Sequence, residues 1–194
     1  YNQRILIVDE GIQKDHPDLL NALDPVTTRH RNFTVNPATT TYAPNVAGNN
    51  HGTALAGIAA ARVKTAPQTT RIGGVAFKST LQGVVATKTS VDDLEWAESF
   101  SLGSTLSDTD RDLDYLDETR IGTVFFDICL NANSASASGD GVGLAAESWL
   151  WKRALRFGAT KARQTKGVVY VTSAGNGGVG HNNTNYNESK NAIY

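Results

Sequence analysis

The sequence predicts an α/β domain with a mainly parallel sheet and helices on both faces, and three observations predict it. Short apolar runs that do not alternate, such as Ile5, Leu6, Ile7 and Val8, fit strands covered on both faces. Segments with helical spacing of small or apolar residues lie between those runs. The first and last strand candidates run into polar, Gly-containing turns, Asp9-Glu10-Gly11 and Ser173-Ala174-Gly175-Asn176. Strands alternating with helices need crossover connections, and those produce parallel pairing.

In chain order, the first strand is the 5–8 run, followed by a Thr-, Asn- and Pro-rich loop over about residues 32–50. Residues 51–61 are dense in Ala, with Leu55 and Ile58, and predict a helix slim enough to pack closely on a sheet. Ser90-Val91-Asp92-Asp93 resembles a capping box and opens a second helix carrying Leu94, Trp96, Ala97 and Phe100. Residues 121–130 predict a strand. Residues 143–157 predict a helix with Leu144, Trp151 and Leu155 on one stripe, basic Lys152, Arg153 and Arg156 near its end, and Gly158 as its stop. Residues 167–172 close the pattern as another buried strand.

Composition limits the function classes. The chain has 194 residues, 40% of them hydrophobic and 19% charged, enough for a real core and against disorder. A net charge of −1 with both signs scattered leaves no basic stripe for nucleic acid and no polybasic membrane anchor. No apolar run reaches the roughly 20 residues that span a bilayer. The single Cys129 permits no internal disulfide and reads as a small buried hydrophobe. With no Met, and with Tyr1 opening almost directly onto a strand, the chain is expected to be part of a longer product, residues 191–194 being the start of a further strand.

In a parallel α/β sheet, functional residues gather beyond the carboxyl ends of the strands. Asp9 stands just past the first strand, Asn176 just past the last, and His51 opens a helix after a loop. A carboxylate that orients an imidazole, an imidazole that takes a proton from a nucleophile, and an amide that donates to an oxyanion are three parts of an acyl-transfer site. Singly, each has a plainer reading: a turn Asp, a helix-capping His, an Asn in a left-handed turn.

Their contexts are more specific than the residues alone. The run from Ile5 through Asp9-Glu10-Gly11-Ile12 to His16-Pro17-Asp18-Leu19 resembles the first catalytic motif of subtilases, especially the kexin and furin-like branch, where an acidic residue follows the catalytic Asp. His51-Gly52-Thr53-Ala54-Leu55-Ala56-Gly57 resembles the second motif, and Gly74-Val75-Ala76 the segment after it. Residues 166–178, with 191–194, are similar to the oxyanion segment of that branch. The resemblance implies a subtilisin-like three-layer fold and a serine endopeptidase, with Asp9 and His51 in the triad and Asn176 as oxyanion donor. Residues 1–194 would be a partial catalytic domain, secreted or exported, acting on polypeptides.

The family's Ser lies in a Gly-Thr-Ser motif downstream of the Asn, and no such motif stands there in this sequence. Gly52-Thr53-Ala54 and Gly103-Ser104-Thr105 are not substitutes. Alone, residues 1–194 are expected to be inactive, with the nucleophile coming from the rest of the same protein or from a complementing chain. Asn187 falls where the branch places an acidic specificity residue, and a second such position falls near residues 139–140. Glu10 reads either as a subsite for a basic side chain or as a solvated turn residue. Ser134, Ala135 and Ser136 replace the family's substrate-pairing strand and read either as an open groove edge or as a mobile loop.

The chemistry requires no cofactor. Calcium is the family's structural ion, and Asp18 matches one of its ligands, although residues 62–71 lack the family's Asn-Gly pattern. Asp108, Asp110 and Asp112 lack the Gly and closing Glu of an EF-hand and read as a solvated acidic loop. Glycines 139, 141 and 143 lack the spacing of a nucleotide-binding turn. Sequons at Asn32, Asn182 and Asn187 would fit a eukaryotic secretory route. Two alternatives differ in class. One is a subtilase-like peptide-binding or scaffold module without catalysis; the other is a nucleotide-binding domain, which Asp9-Glu10-Gly11 does not support.

Overall fold

The structure, a computed structural model, describes residues 3–35, 38–44, 47–62, 73–86, 93–101, 121–126, 149–161 and 166–172. Its elements are β1 (Arg4–Asp9), a 3-10 turn (Thr27–Arg29), β2 (Arg31–Asn32), α1 (His51–Ala60), β3 (Thr80–Val85), α2 (Asp93–Ser101), β4 (Ile121–Phe126), α3 (Trp149–Thr160) and β5 (Val169–Thr172). The strands form one sheet in the order β2-β3-β1-β4-β5, and every pair is parallel.

The central strand explains the layering. Along β1 the side chains alternate between faces. Leu6 and Val8 pack with Trp96, Ala97 and Phe100 of α2 and Ala154 and Leu155 of α3. Ile5 and Ile7 pack with Ala56, Ala59 and Ala60 of α1 and with Leu19 and Leu23. Both faces are dry, so the strand has no polar positions until its ends. The predicted α/β class, with helices on both faces, is the observed architecture.

On α1 the small residues Gly52, Thr53, Ala56, Ala59 and Ala60 form the buried side, and Ile58 is exposed. On α2, Trp96 and Phe100, one turn apart, touch with ring centroids 5.7 Å apart. Two boundaries differ from expectation. The third helix continues through Gly158 to Thr160. There the glycine leaves room for the Tyr170 ring, which a Cβ would strike, while its carbonyl accepts from Val168 N at 2.9 Å. β5 begins at Val169, after Gly167 turns the chain with φ of +73°. Residues 127–130, Leu144, the acidic run 108–112 and glycines 139–143 lie outside the described residues.

β3, next to the centre of the sheet, carries no predictive pattern because Gln82 and Gly83 interrupt its apolar run. Gln82 serves a buried polar knot beside β3, whereas at Gly83 a Cβ would crowd Tyr42 Cβ at 3.1 Å and Ile12 Cδ1 at 3.2 Å. Gln82 is fully buried and its Nε2 donates to the Arg29 carbonyl. Gly83 N–H donates to His30 Nδ1 at 3.0 Å, and His30 Nε2 lies 2.9 Å from the Asp24 carbonyl. These partners select the neutral tautomer with the proton on Nε2. The ring stacks on Tyr42 at 3.8 Å, and Asp24 in turn pairs with Arg4 and Arg29.

Burial holds the His30 pKa below its ordinary 6.5, and the nearby Asp24 offsets this only in part. The unfolded chain therefore takes up a proton near pH 6.5 that the folded chain refuses until lower pH. Stability from this group is fully present above that value and falls as pH drops below it, by up to about 1.4 kcal/mol per pH unit. Denaturant unfolding of the protein and of His30→Gln, at about pH 7.5 and about pH 5.5, is expected to show an acid loss roughly 1 kcal/mol larger for the histidine form. Equal losses would mean that His30 is not the acid-sensitive group.

Candidate active site

The sheet register builds the site. Asp9 pairs with Val85, Val8 with Phe126, and Phe126 with Thr172, so the carboxyl ends of β3, β1, β4 and β5 line one edge. Chain order reverses between β1 and β4, and ligands of open parallel sheets bind at such a switch point. Asp9 has the same parity as Ile5 and Ile7, which places its carboxylate on the α1 face.

The amino end of α1 meets it there. Asp9 Oδ2 lies 2.8 Å from His51 Nδ1, and Asp9 Oδ1 accepts the Glu10 N–H at 2.7 Å. The Asp side chain is 1% exposed, the His side chain 60%. A buried carboxylate facing Nδ1 holds the proton on that nitrogen and leaves Nε2 as the basic one, on an imidazole that solutes can reach. That is the orientation a general base requires.

So close an approach depends on two glycines. A Cβ on Gly52 would lie 2.5 Å from the Gly11 carbonyl oxygen and 2.9 Å from Asp9 Cβ and Oδ1. Gly11 has φ of +119°, and a Cβ there would meet Pro44 N at 2.7 Å. The turn after β1 is then stitched to both neighbours: Ile12 N donates to Tyr42 O at 2.8 Å and Gln13 N to Thr53 Oγ1 at 2.9 Å. The motif reading gave Gly52 and Thr53 no individual tasks. Their signal was the His-Gly-Thr spacing itself, which is meaningful only once the helix is known to abut the strand end.

Glu10 is half-buried and engaged. Its Oε1 accepts the backbone N–H of His51 at 2.7 Å, so it is not simply a solvated turn residue. Asp18 is 7% exposed and sits at the other end of α1, where its carbonyl accepts Arg62 N–H at 2.8 Å. Among the described residues no group of three or more His, Cys, Asp or Glu side chains is placed to hold a metal. Asn32 is buried, and its Oδ1 accepts from Thr34 N and Thr34 Oγ1, which removes it as a glycan acceptor in the folded protein. Asn176, Ser134, Ala135, Ser136, Asn187 and the sequon at Asn182 lie outside the described residues. No described helix is long and apolar enough to cross a membrane.

Known proteins share both sequence and fold with this chain. Proprotein convertase subtilisin/kexin type 4 of Mus musculus is 30% identical over 98% of this chain and 25% of its own length. Furin-like protease 2 of Drosophila melanogaster is 29% identical over 98% of this chain and 10% of its own, and kexin of Saccharomyces cerevisiae 27% over 97% and 20%. The chain thus spans a quarter or less of the length of these relatives. In structure, the S41 psychrophilic protease matches with a TM-score of 0.56 and 23% identity over 92% of this chain and 47% of that one. A serine protease of Aeromonas sobria matches at 0.55 and 23%, over 90% and 25%, and both likenesses concern the fold. The sequence model described as the subtilase family matches residues 2–193, nearly the whole chain, and on that ground the chain belongs to the subtilase family.

Proposed function

We propose that this chain carries the base and the orienting carboxylate of a secreted or exported serine endopeptidase, acting on polypeptides. The observation that carries the reading is the 2.8 Å contact between a buried Asp9 and an exposed His51 at the switch point of a parallel sheet. In this mechanism His51 Nε2 takes the proton of a Ser hydroxyl as its oxygen attacks the scissile carbonyl carbon. Asp9 stabilises the resulting imidazolium, which then gives the proton to the leaving amine. Asn176 donates to the oxyanion. The Ser comes from outside residues 1–194, in a further stretch of the same protein or in a complementing chain. A peptide-binding module without catalysis would not need Nε2 kept basic and accessible, and the dyad geometry favours the enzyme.

Glu10 keeps its role as a neighbour for a basic substrate side chain, with Ser134, Ala135, Ser136 and Asn187 as further groove residues; kinetics on substrates differing in that side chain test it. Asp18 is one candidate oxygen ligand of a structural calcium ion. Its support is that Asp18 is buried and held in place, its backbone carbonyl accepting the Arg62 N–H at 2.8 Å. Calcium takes about six to eight oxygen ligands, of which Asp18 would supply one.

Fluorophosphonate labelling of the full-length protein, with and without a chelator, tests these statements together. One labelled Ser, lost in His51→Ala, is the expected result, and labelling indifferent to His51 would sink the protease reading. Labelling lost on chelation and restored by calcium marks the ion; indifference to the chelator removes Asp18 from a metal site.

A further inference from the structure

We propose that Glu10 is a positioning residue for His51, a role that rests on the reading of Asp9 and His51 as a catalytic pair. The helix α1 has no cap of its own: the side chain of Asn50, at its N-cap position, makes no capping bond, and its first turn holds no acid. The free N–H groups at a helix start need acceptors, and a negative charge there is favourable. Glu10, 41 residues earlier in the chain, supplies both through Oε1 at 2.7 Å from His51 N.

The result is a closed circuit of three residues. The His51 N–H goes to the Glu10 carboxylate, the Glu10 N–H goes to Asp9 Oδ1 at 2.7 Å, and Asp9 Oδ2 meets the His51 ring at 2.8 Å. Asp9 holds the imidazole, and Glu10 holds the backbone from which the imidazole hangs. Without Glu10, Asp9 still meets the ring, but the His51 N–H loses its carboxylate acceptor and the helix start is held less firmly, by the packing of Gly52 and by Thr53 Oγ1 on Gln13 N–H. Near-attack geometry is sensitive to displacements of about 1 Å, so the loss should register in the chemical step.

The test is steady-state kinetics of the full-length protein on two peptides, one basic and one neutral at the residue that lies beside Glu10. Glu10→Ala is expected to lower kcat about tenfold on both peptides. Glu10→Gln keeps an acceptor oxygen in the same place and is expected to restore kcat to within about twofold of the parent. The proposal is overturned by an unchanged kcat, by a loss confined to KM for the basic peptide, or by Gln losing as much as Ala. Asp9→Asn, measured alongside, separates the two levels: full activity there ends the catalytic-pair reading itself, whereas its loss with Glu10→Ala unaffected removes only the role given to Glu10.

Discussion

Asp9→Asn is expected to lower kcat/KM of the full-length protein by about ten-thousandfold, with the fold intact, a magnitude typical of Asp-His-Ser triads. The structure supplies the reason for the direction. Asp9 Oδ1 accepts the Glu10 N–H at 2.7 Å, and an asparagine there would keep its oxygen on that donor. Its NH2 group would then face His51 Nδ1, 2.8 Å away in the present structure. A donor at that place forces the imidazole to accept on Nδ1 and to carry its proton on Nε2. The nitrogen that should take the Ser proton is already protonated. Thermal unfolding close to that of the parent, together with the lost rate, would establish a tautomer effect; retained activity would mean that Asp9 does not set the state of His51.

Gly52→Ala is expected to cost at least about a hundredfold in kcat/KM and about 2 kcal/mol in stability. The added methyl would meet the Gly11 carbonyl at 2.5 Å and the Asp9 side chain at 2.9 Å. Neither neighbour is the flexible end of a long side chain, so α1 must retreat from β1. The retreat lengthens the Asp9–His51 contact and loosens the Ala face of α1 on the sheet. Paired measurements of unfolding and kinetics check both parts, and near-parental values would show that the helix start is less closely held.

Much of this was legible in the residues, for identifiable reasons. β1 announces itself because a strand covered on both faces is an uninterrupted apolar run. β5 shows the same kind of run, but the buried strand it predicts is not observed, since β5 ends the sheet order and leaves Val169 and Val171 exposed. Asp9 and His51 were legible as candidates because each ends or opens an element at the functional edge. β3 was missed because Gln82 bonds to Arg29 and Gly83 leaves room for Tyr42 and Ile12, partners from distant segments that no local pattern reveals. Gly158 misled for a similar reason: it clears space for Tyr170 within a helix that continues past it. The bond from Glu10 to His51 joins residues 41 apart and could not be read from either segment alone.

The dry central strand has a consequence for how the chain finds its native alignment. Ile5, Leu6, Ile7 and Val8 are interchangeable in kind, so burial alone barely penalises sliding β1 by one residue. Such a slip would carry every side chain, Asp9 included, to the opposite layer. What distinguishes the correct alignment is polar and lies at the two ends: Arg4 paired with Asp24 at 3.2 Å, and Asp9 paired with His51. The contact that equips the site for chemistry is thus also one of two index marks on an otherwise featureless ruler.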